Sequence, residues 1–226
     1  MTRGFRIATF NIKHAEVRGL DAVTEALRDA DADAVALQEV DVGTLRSLGV
    51  DQARELGERL GMTHVFAPAF ALGGGHYGVA LLGREPLAGA VIPLPRLDPP
   101  RDEPRVALAA RLADAWFVTT HFSLDPEERL AQARSLAARF HEPPAVLLGD
   151  FNESVSGDAV RALLAVGLRD AWADCGAAEA VTSAPDRPRE RVDLVLLGPS
   201  SPRAASVELR ERGASDHPLV LVTLAS

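Results

Sequence analysis

The stretch Leu147-Leu148-Gly149-Asp150-Phe151-Asn152 decides how the rest of the chain is interpreted. Its first residues are apolar, as in a short strand that is buried on both faces, and polar residues follow where that strand would end. In layered α/β folds the ends of strands point into the ligand crevice. An Asp after a strand is often only a turn former. The stretch therefore predicts a buried strand whose end carries either a turn or part of a site.

The same pattern recurs along the chain, with an apolar run next to polar residues that carry reactive groups. It is found at Phe10-Asn11, Leu37-Gln38-Glu39, Val118-Thr119-Thr120-His121 and, before a final apolar run, Ser215-Asp216-His217. Each occurrence alone has a structural explanation. Together they supply hard oxygen ligands, bases of near-neutral pKa and neutral hydrogen-bond donors. The set predicts one site built from residues that are distant in sequence.

Helical patterns alternate with the apolar runs. Helices are predicted over residues 20–30, 51–60, 126–140 and 158–166. Strands are predicted over residues 5–10, 34–37, 78–82, 107–112, 116–120, 145–148, 192–197 and 219–223. Residues 92–104 and 177–190 are predicted to be loops, and Gly73-Gly74-Gly75 a mobile loop that could cover the site. Residues 1–226 are expected to form a single α/β domain with layered sheets and helices outside.

Composition and charge limit the functions that this chain can have. It has 226 residues, 47% of them hydrophobic and 25% charged, which is ordinary for a globular protein. The net charge of −8 weighs against tight nonspecific binding to DNA. No stretch approaches the ~18 consecutive apolar residues of a membrane span, and no targeting segment precedes the first strand. We therefore expect a cytoplasmic protein that does not insert into membranes.

Six motifs in this chain resemble those of the endonuclease/exonuclease/phosphatase superfamily, whose fold is similar to that of deoxyribonuclease I. In order they are Thr9-Phe10-Asn11-Ile12, Leu37-Gln38-Glu39-Val40, Thr119-Thr120-His121, Gly149-Asp150-Phe151-Asn152, Arg191-Val192-Asp193-Leu194 and Ser215-Asp216-His217. The resemblance covers residues 9–217, essentially the whole chain. It implies a four-layer α/β sandwich, in which two central, mostly antiparallel sheets face each other between helices.

The resemblance also implies a metal site. Glu39 resembles the principal Mg²⁺ ligand of the superfamily, a hard carboxylate for a hard cation that keeps several waters. Asn11 is expected beside the metal, and Asp216 matches a second acidic position near it. The implied cofactor is Mg²⁺, for which Mn²⁺ can substitute.

The remaining motif residues resemble the catalytic groups of the superfamily. His217 and Asp193 match a His–Asp pair, in which the carboxylate fixes the tautomer and raises the basicity of the imidazole. Asp150 is expected to handle a proton and Asn152 to donate to a phosphoryl oxygen. His121 is expected to donate to the non-bridging oxygens as charge builds on them. Whether Asp150 or His217 activates the water stays open.

Two basic residues are candidates for substrate contacts. Lys13 is the only lysine among the 24 Lys and Arg residues, and it is predicted to lie two residues after Asn11 on the same face of the strand. Arg105 resembles a recurring Pro-Arg position of small bacterial members of the superfamily. The excess of arginine over lysine indicates a coding bias, so the abundance of arginine does not itself indicate phosphate recognition.

Three functions are compatible with these motifs: a hydrolase of a small phosphodiester or phosphomonoester, a nuclease acting on DNA or RNA, and a non-catalytic binding protein of the same fold. The last is disfavoured because a competent residue fills every chemically active position. A nuclease is disfavoured by the charge of −8, the aromatic content of 5% and the absence of a long Lys/Arg run. The sequence therefore favours a monomeric hydrolase of a small phosphate ester.

Overall fold

Strands and helices alternate in the computed structural model, which describes residues 3–99, 103–112, 114–140, 142–178, 180–210 and 213–225. The strands are β1 (Arg6–Asn11), β2 (Ala34–Val42), β3 (Thr63–Leu72), β4 (Gly75–Gly83), β5 (Ala88–Pro93), β6 (Val106–Leu112), β7 (Ala115–His121), β8 (Val146–Asp150), β9 (Arg169–Asp170), β10 (Asp193–Leu197), β11 (Ala204–Arg210) and β12 (Leu219–Leu224). The helices are α1 (Gly19–Ala30), α2 (Gln52–Leu60), α3 (Pro126–Ala137), α4 (Asp158–Leu164) and α5 (Ala171–Cys175), with a 3₁₀ turn at Lys13–Ala15.

Within the described residues the strands form two six-stranded sheets. The first has the order β11-β12-β1-β2-β4-β3, and the second has the order β5-β6-β7-β8-β10-β9. Each sheet has one parallel pair, β1 with β2 and β7 with β8, and its other neighbouring strands are antiparallel. The helices α1 and α3 provide the crossovers that the parallel pairs require. The mostly antiparallel two-sheet architecture is confirmed.

Three apolar clusters separate the layers. On β1 the alternation of side chains sends Ile7 toward the second sheet, while Ala8 and Phe10 pack toward α1 and α2. On β8, Leu148 faces the first sheet and Leu147 faces α3 and α4. The order of layers is therefore helix, sheet, sheet, helix. This order confirms the four-layer sandwich.

Local sequence signals place the helix ends. The side chain of Asp51 accepts a hydrogen bond from the Arg54 amide at the start of α2, and Asp125 does the same for Glu128 at the start of α3. Gly61 ends α2 in the left-handed conformation, with φ of 64°. Helix α3 ends at Ala137, three residues before the predicted end. No helix in the described ranges is long and apolar enough to cross a membrane.

The strands that the sequence did not predict lie at the edges of the sheets. β3 and β11 flank the first sheet, and β5 and β9 flank the second. An edge strand has a partner on one side only, and β3, β5 and β11 have mostly half-exposed or exposed residues. Their sequences therefore lack a continuous apolar run. The predicted loop at 92–104 begins too early, because Ile92 and Pro93 complete β5.

The three-glycine run, which the sequence predicts to be a mobile loop, forms the tight turn of the β3–β4 hairpin. Gly73 and Gly74 join β3 to β4 with φ of 50° and 85°, and Gly75 is the first residue of β4. A Cβ at Gly75 would lie 2.2 Å from the Val42 carbonyl oxygen. Glycine is therefore required here by close backbone packing as well as by the turn.

Candidate active site

The polar residues that follow the apolar runs converge at one edge of the sandwich. Asn11, His121 and Asp150 are the last residues of β1, β7 and β8. Asp193 begins β10 and is paired with Asp150 in the register of the two antiparallel strands. His217 precedes β12, which runs antiparallel to β1. Strand direction therefore brings residues from both sheets to the same edge.

Glu39 projects into this site from an irregularity in β2. The pairing of β2 with β4 shifts between Leu37 and Val40, and Glu39 has a left-handed φ of 56°. One carboxylate oxygen, Oε1, accepts a hydrogen bond of 2.9 Å from Asn11 Nδ2. The other oxygen, Oε2, accepts no hydrogen bond from a described residue, and His14 Nδ1 lies 4.0 Å away. Glu39 therefore has a ligand position that faces the site.

Negative charge is concentrated around Glu39. Burial raises the pKa of Glu39, and the negative charges of Asp150 and Asp216 raise it further, against the hydrogen bond from Asn11 and the charge of His217. A hard divalent cation would offset this concentration of negative charge, and carboxylate and amide oxygens are its preferred ligands. The carboxylate of Glu39 therefore fits a hard divalent cation.

Asp150 lies close to three other polar residues of the site. Its Oδ2 accepts a hydrogen bond of 3.1 Å from Asn11 Nδ2 and lies 3.5 Å from His121 Nε2 and 3.9 Å from His217 Nε2. Burial, and next to it the charge of Asp193, raise the pKa of Asp150 to about 6. A carboxylate with this pKa is mostly ionised at neutral pH and is still basic enough to accept a proton.

His217 and Asp193, the pair that the family resemblance implies, lie in contact. His217 Nδ1 lies 2.8 Å from Asp193 Oδ2. Burial opposes the charge on the imidazole, but Asp193, Asp150 and Asp216 outweigh it and raise the pKa of His217 to about 10. The ligating atoms of Asp150, Asp193 and His217 all lie within 4.8 Å of one another, the spacing of a metal site. Nδ1 of His217 is engaged by Asp193, so Nε2 is the ring nitrogen that is left for another contact.

His121 differs from His217 in its surroundings. Its Nδ1 lies 3.1 Å from Arg105 Nη1 and 3.5 Å from the Tyr77 hydroxyl. Burial and the positive charges of Arg105 and His217 hold the pKa of His121 well below its usual value. The imidazole is therefore neutral at physiological pH and can donate one hydrogen bond without carrying a charge.

Asn152 lies beside Asp150 on the turn after β8. It has a left-handed φ of 52°, and its backbone N–H donates to Asp150 Oδ1 at 2.9 Å. Its Nδ2 donates to the carbonyl oxygen of Phe122 at 2.8 Å. An amide NH₂ has two hydrogens, so the second is available for a phosphoryl oxygen.

Lys13 and Asp216 form an ion pair at the rim. Lys13 lies on the 3₁₀ turn after β1, with φ of 45°, so the prediction that it continues the strand face of Asn11 is wrong. Its Nζ is 2.8 Å from Asp216 Oδ2. Burial opposes ionisation of Asp216, but the contacts with Lys13 and His217 outweigh it, and its pKa is below the usual value. Asp216 is therefore an ionised carboxylate that already has a cationic partner.

These residues open into a cavity of about 650 Å³. It is lined by the predicted residues Lys13, Glu39, Arg105, His121, Asp150, Asn152, Asp216 and His217. The opposite walls come from the β3–β4 hairpin, with Phe70 and Tyr77, and from the loop that carries Ser183 and Arg187. Asn11 and Asp193 lie behind this lining and contact it through Glu39 and His217.

Several residues that support the site were not assigned a role from the sequence. The buried Thr182 hydroxyl accepts hydrogen bonds from the amides of Val192 and Asp193 at 2.9 and 2.8 Å. Arg191 forms a two-pronged ion pair with Asp170. Thr182 lies in a predicted loop with no pattern around it, so no local signal identified it. Arg191 belongs to a quoted motif, but its partner is 21 residues away.

Comparisons with known proteins agree with this geometry. The model of the Endonuclease/Exonuclease/phosphatase family matches residues 8–217. The structure of an endonuclease/exonuclease/phosphatase from Beutenbergia cavernae DSM 12333 is 23% identical, with a TM-score of 0.79 over 100% of this chain and 72% of that chain. No curated protein matches this chain.

Two more distant structures share the fold. Danio rerio TDP2, complexed with a single-strand DNA product, is 17% identical, with a TM-score of 0.70 over 98% of this chain and 99% of that one. ANGEL2, described as a 2′,3′-cyclic phosphatase, is 15% identical, with a TM-score of 0.71 over 97% of this chain and 94% of that one. At these identities the likeness shows the fold alone.

Proposed function

This chain belongs to the endonuclease/exonuclease/phosphatase family, and we propose that it is a divalent-metal-dependent hydrolase of a small phosphodiester or phosphomonoester. Members of the family are generally hydrolases of phosphate esters. We favour a small substrate because the basic side chains that line the cavity form ion pairs with carboxylates of the protein. Lys13, Arg46, Arg105 and Arg129 each have a carboxylate partner: Asp216, Asp41, Glu103 and Glu153.

This pairing matters because a polynucleotide is held mainly through its phosphates. A nuclease needs several cations that are free to neutralise phosphates along the strand. Among the basic side chains that line the cavity within the described residues, Arg187 is the one for which no ion pair is found. The cavity is therefore suited to one phosphoryl group, and the metal would add its positive charge to that of His217.

The proposed mechanism assigns each step to a side chain. Asp150 accepts the proton of the attacking water, because His217, with a pKa of about 10, is already protonated at neutral pH. His121 and Asn152 donate hydrogen bonds to the phosphoryl oxygens as negative charge builds. His217, held by Asp193, stabilises the same charge as an imidazolium. Bound at Glu39 and Asn11, Mg²⁺ would supply Lewis acidity to the phosphoryl group and its leaving oxygen.

We also propose that the protein is a monomer and is located in the cytoplasm. Cys175 is the single cysteine, so the chain cannot form an intramolecular disulfide. The absence of disulfides is usual for proteins of a reducing compartment. Light scattering coupled to gel filtration tests the oligomeric state directly.

A side-by-side assay tests the activity. Chelator-treated protein is assayed with bis(p-nitrophenyl) phosphate, p-nitrophenyl phosphate and plasmid DNA, with and without Mg²⁺ or Mn²⁺. We expect turnover of a small ester that requires the metal and is abolished by Asp150→Asn. Full activity without metal, or no hydrolysis of any ester by a folded sample, would contradict the proposed function.

A further inference from the structure

The side chain of Arg105 lines the cavity, but it is almost fully buried and lies against His121. Arg105 is 6% exposed, its Nη1 lies 3.1 Å from His121 Nδ1, and its Nη2 lies 3.1 Å from Glu103 Oε2. Arg105 directly precedes β6, and β6 pairs with β7, where Ala107 lies opposite Thr120. Strand pairing therefore places the guanidinium beside the imidazole.

The chemistry of this contact specifies where the hydrogen of His121 lies. A guanidinium has five N–H donors and no acceptor, and it stays protonated in proteins. It can make a hydrogen bond to Nδ1 only if Nδ1 offers a lone pair. A neutral imidazole carries one hydrogen, which must then be on Nε2. The Tyr77 hydroxyl, at 3.5 Å from Nδ1, can donate to the same lone pair.

Nε2 is the nitrogen that faces the reaction centre. It lies 3.5 Å from Asp150 Oδ2, and His121 lines the cavity. We propose that Arg105 is a positioning residue that holds His121 as the Nε2–H tautomer, so that this N–H donates to the phosphoryl group. The inference rests on the proposed function for its catalytic meaning, but the tautomer itself is independent of any activity.

This role differs from the substrate contact that the sequence predicted for Arg105. A residue that binds the substrate equally in ground and transition states changes KM, whereas a residue that keeps a transition-state donor in place changes kcat. Two of the three guanidinium nitrogens already contact protein groups, Glu103 and His121. The structure therefore favours the effect on kcat.

Nuclear magnetic resonance measures the tautomer directly. Protein labelled with ¹⁵N-histidine is examined by two-bond ¹H–¹⁵N correlation, and the His121 signals are assigned by their loss in His121→Gln. We expect the pattern of a neutral Nε2–H ring from pH 6 to pH 9. A protonated Nδ1 in this range, as the other tautomer or as imidazolium, would overturn the inference whether or not the protein hydrolyses phosphate esters.

Two variants and a control connect the tautomer to Arg105. Arg105→Met removes the donor, and we expect mixed tautomers and a decrease in kcat of about tenfold to hundredfold, with a smaller change in KM. Arg105→Lys restores a donor and should recover most of the Nε2–H form. Arg187→Met makes the same charge change at an exposed position and should leave the His121 spectrum unchanged.

The same variants can also give results that contradict the inference. An unchanged tautomer in a folded Arg105→Met protein, or a rise in KM at constant kcat, would assign Arg105 to substrate binding and contradict the inference. Thermal melts show which variants are folded. If Arg105→Met does not fold, the wild-type and Arg105→Lys spectra still decide. An Nε2–H ring in both supports the inference. An Nδ1–H ring in wild type, or loss of the Nε2–H form in folded Arg105→Lys, contradicts it.

Discussion

Glu39 combines a strained backbone with a half-buried carboxylate. A non-glycine residue in the left-handed region costs on the order of 1 kcal/mol, and such residues are retained where the surrounding structure or function requires them. The shift of pairing in β2 places this cost at the proposed metal ligand. The carboxylate is directed toward Asn11 and Asp150 instead of along the regular face of the strand.

Glu39→Gln distinguishes a role of Glu39 in metal binding from a role in folding. The substitution keeps the shape and removes the charge, so we expect a loss of activity of at least about a hundredfold. Since burial raises the pKa of Glu39, the metal-free variant should melt at the same temperature as wild type or higher. The increase in Tm that Mg²⁺ produces in wild type should disappear.

Glu58→Gln, on the exposed face of α2, is the control and should behave as wild type. Retained activity together with a retained metal shift would exclude Glu39 as the ligand.

The contact between His217 and Asp193 predicts coupled effects. Asp193→Asn and His217→Ala should each lower kcat/KM strongly, and the double variant should be little worse than the worse single variant. The reason is the 2.8 Å hydrogen bond through which Asp193 orients His217. A double-mutant cycle on the preferred ester measures the coupling. Losses that add would mean that the two residues act separately.

At the scale of elements, Gly149 determines how closely β7 and β8 approach. It has φ of 147°, and a Cβ at this position would lie 2.0 Å from the Thr120 carbonyl oxygen. Gly149→Ala should therefore destabilise the protein by more than about 2 kcal/mol. Gly176→Ala is the matched control, since Gly176 has φ of 63° and open space around it. Its cost should be about 1 kcal/mol. Equal changes in Tm would show that the close strand approach does not contribute.

The end of β2 is held by a buried carboxylate, which predicts a dependence of stability on pH. Asp41 accepts hydrogen bonds from Thr44, Arg46 and Ser47. Burial opposes ionisation, but these hydrogen bonds outweigh it and lower the pKa of Asp41 below its ordinary value of 3.8. Ionised Asp41 therefore stabilises the folded state above that value, and this contribution is lost as pH falls through the lower folded-state pKa.

Asp41→Asn tests this assignment. The variant should melt several degrees below wild type at pH 7, because it loses charge-assisted hydrogen bonds. The difference in Tm should stay constant between pH 7 and pH 5 and narrow below about pH 4. Thermal melts across this range check it. A difference that does not narrow in acid would mean that the charge of Asp41 does not contribute to stability.

At the scale of the whole molecule, the first and last strands belong to the same sheet. β1 pairs with β12, with Arg6 opposite Thr223 and Thr9 opposite Val220. The second sheet is formed by the strands between β5 and β10 and packs on the first through a shared apolar cluster. We propose on this basis that residues 1–226 act as one domain and unfold together.

The preference for a small ester over duplex DNA is a prediction about the whole surface. A duplex nuclease that contacts several phosphates should lose activity steeply as salt rises, whereas an enzyme for one phosphoryl group should respond weakly. We expect kcat/KM to be higher for a small diester than for a short duplex, and to change little between low and moderate salt. Faster turnover of the duplex with a steep loss in salt would instead establish the nuclease alternative.

Local sequence was sufficient for the central strands, most helix ends and the residues gathered at the site. A buried central strand must be apolar, and a helix must begin and end with residues that satisfy its free backbone groups. Both requirements leave a signal within a few neighbouring residues. The polar residues at the strand ends, such as Asp150 and His217, were identified because the apolar runs beside them were clear.

Tertiary structure alone decided the edge strands and the partners of the charged side chains. β3, β5 and β11 are edge strands, and each forms backbone hydrogen bonds with one neighbouring strand only. Their sequences therefore show no clear alternation of apolar and polar residues. The pairing of Lys13 with Asp216 and of Arg105 with His121 joins residues that are 203 and 16 positions apart. No periodic pattern encodes such pairs, because they depend on where two sheets place their ends. The roles of Arg105 and Lys13 therefore follow from the packing of the sandwich and not from the motifs in which they occur.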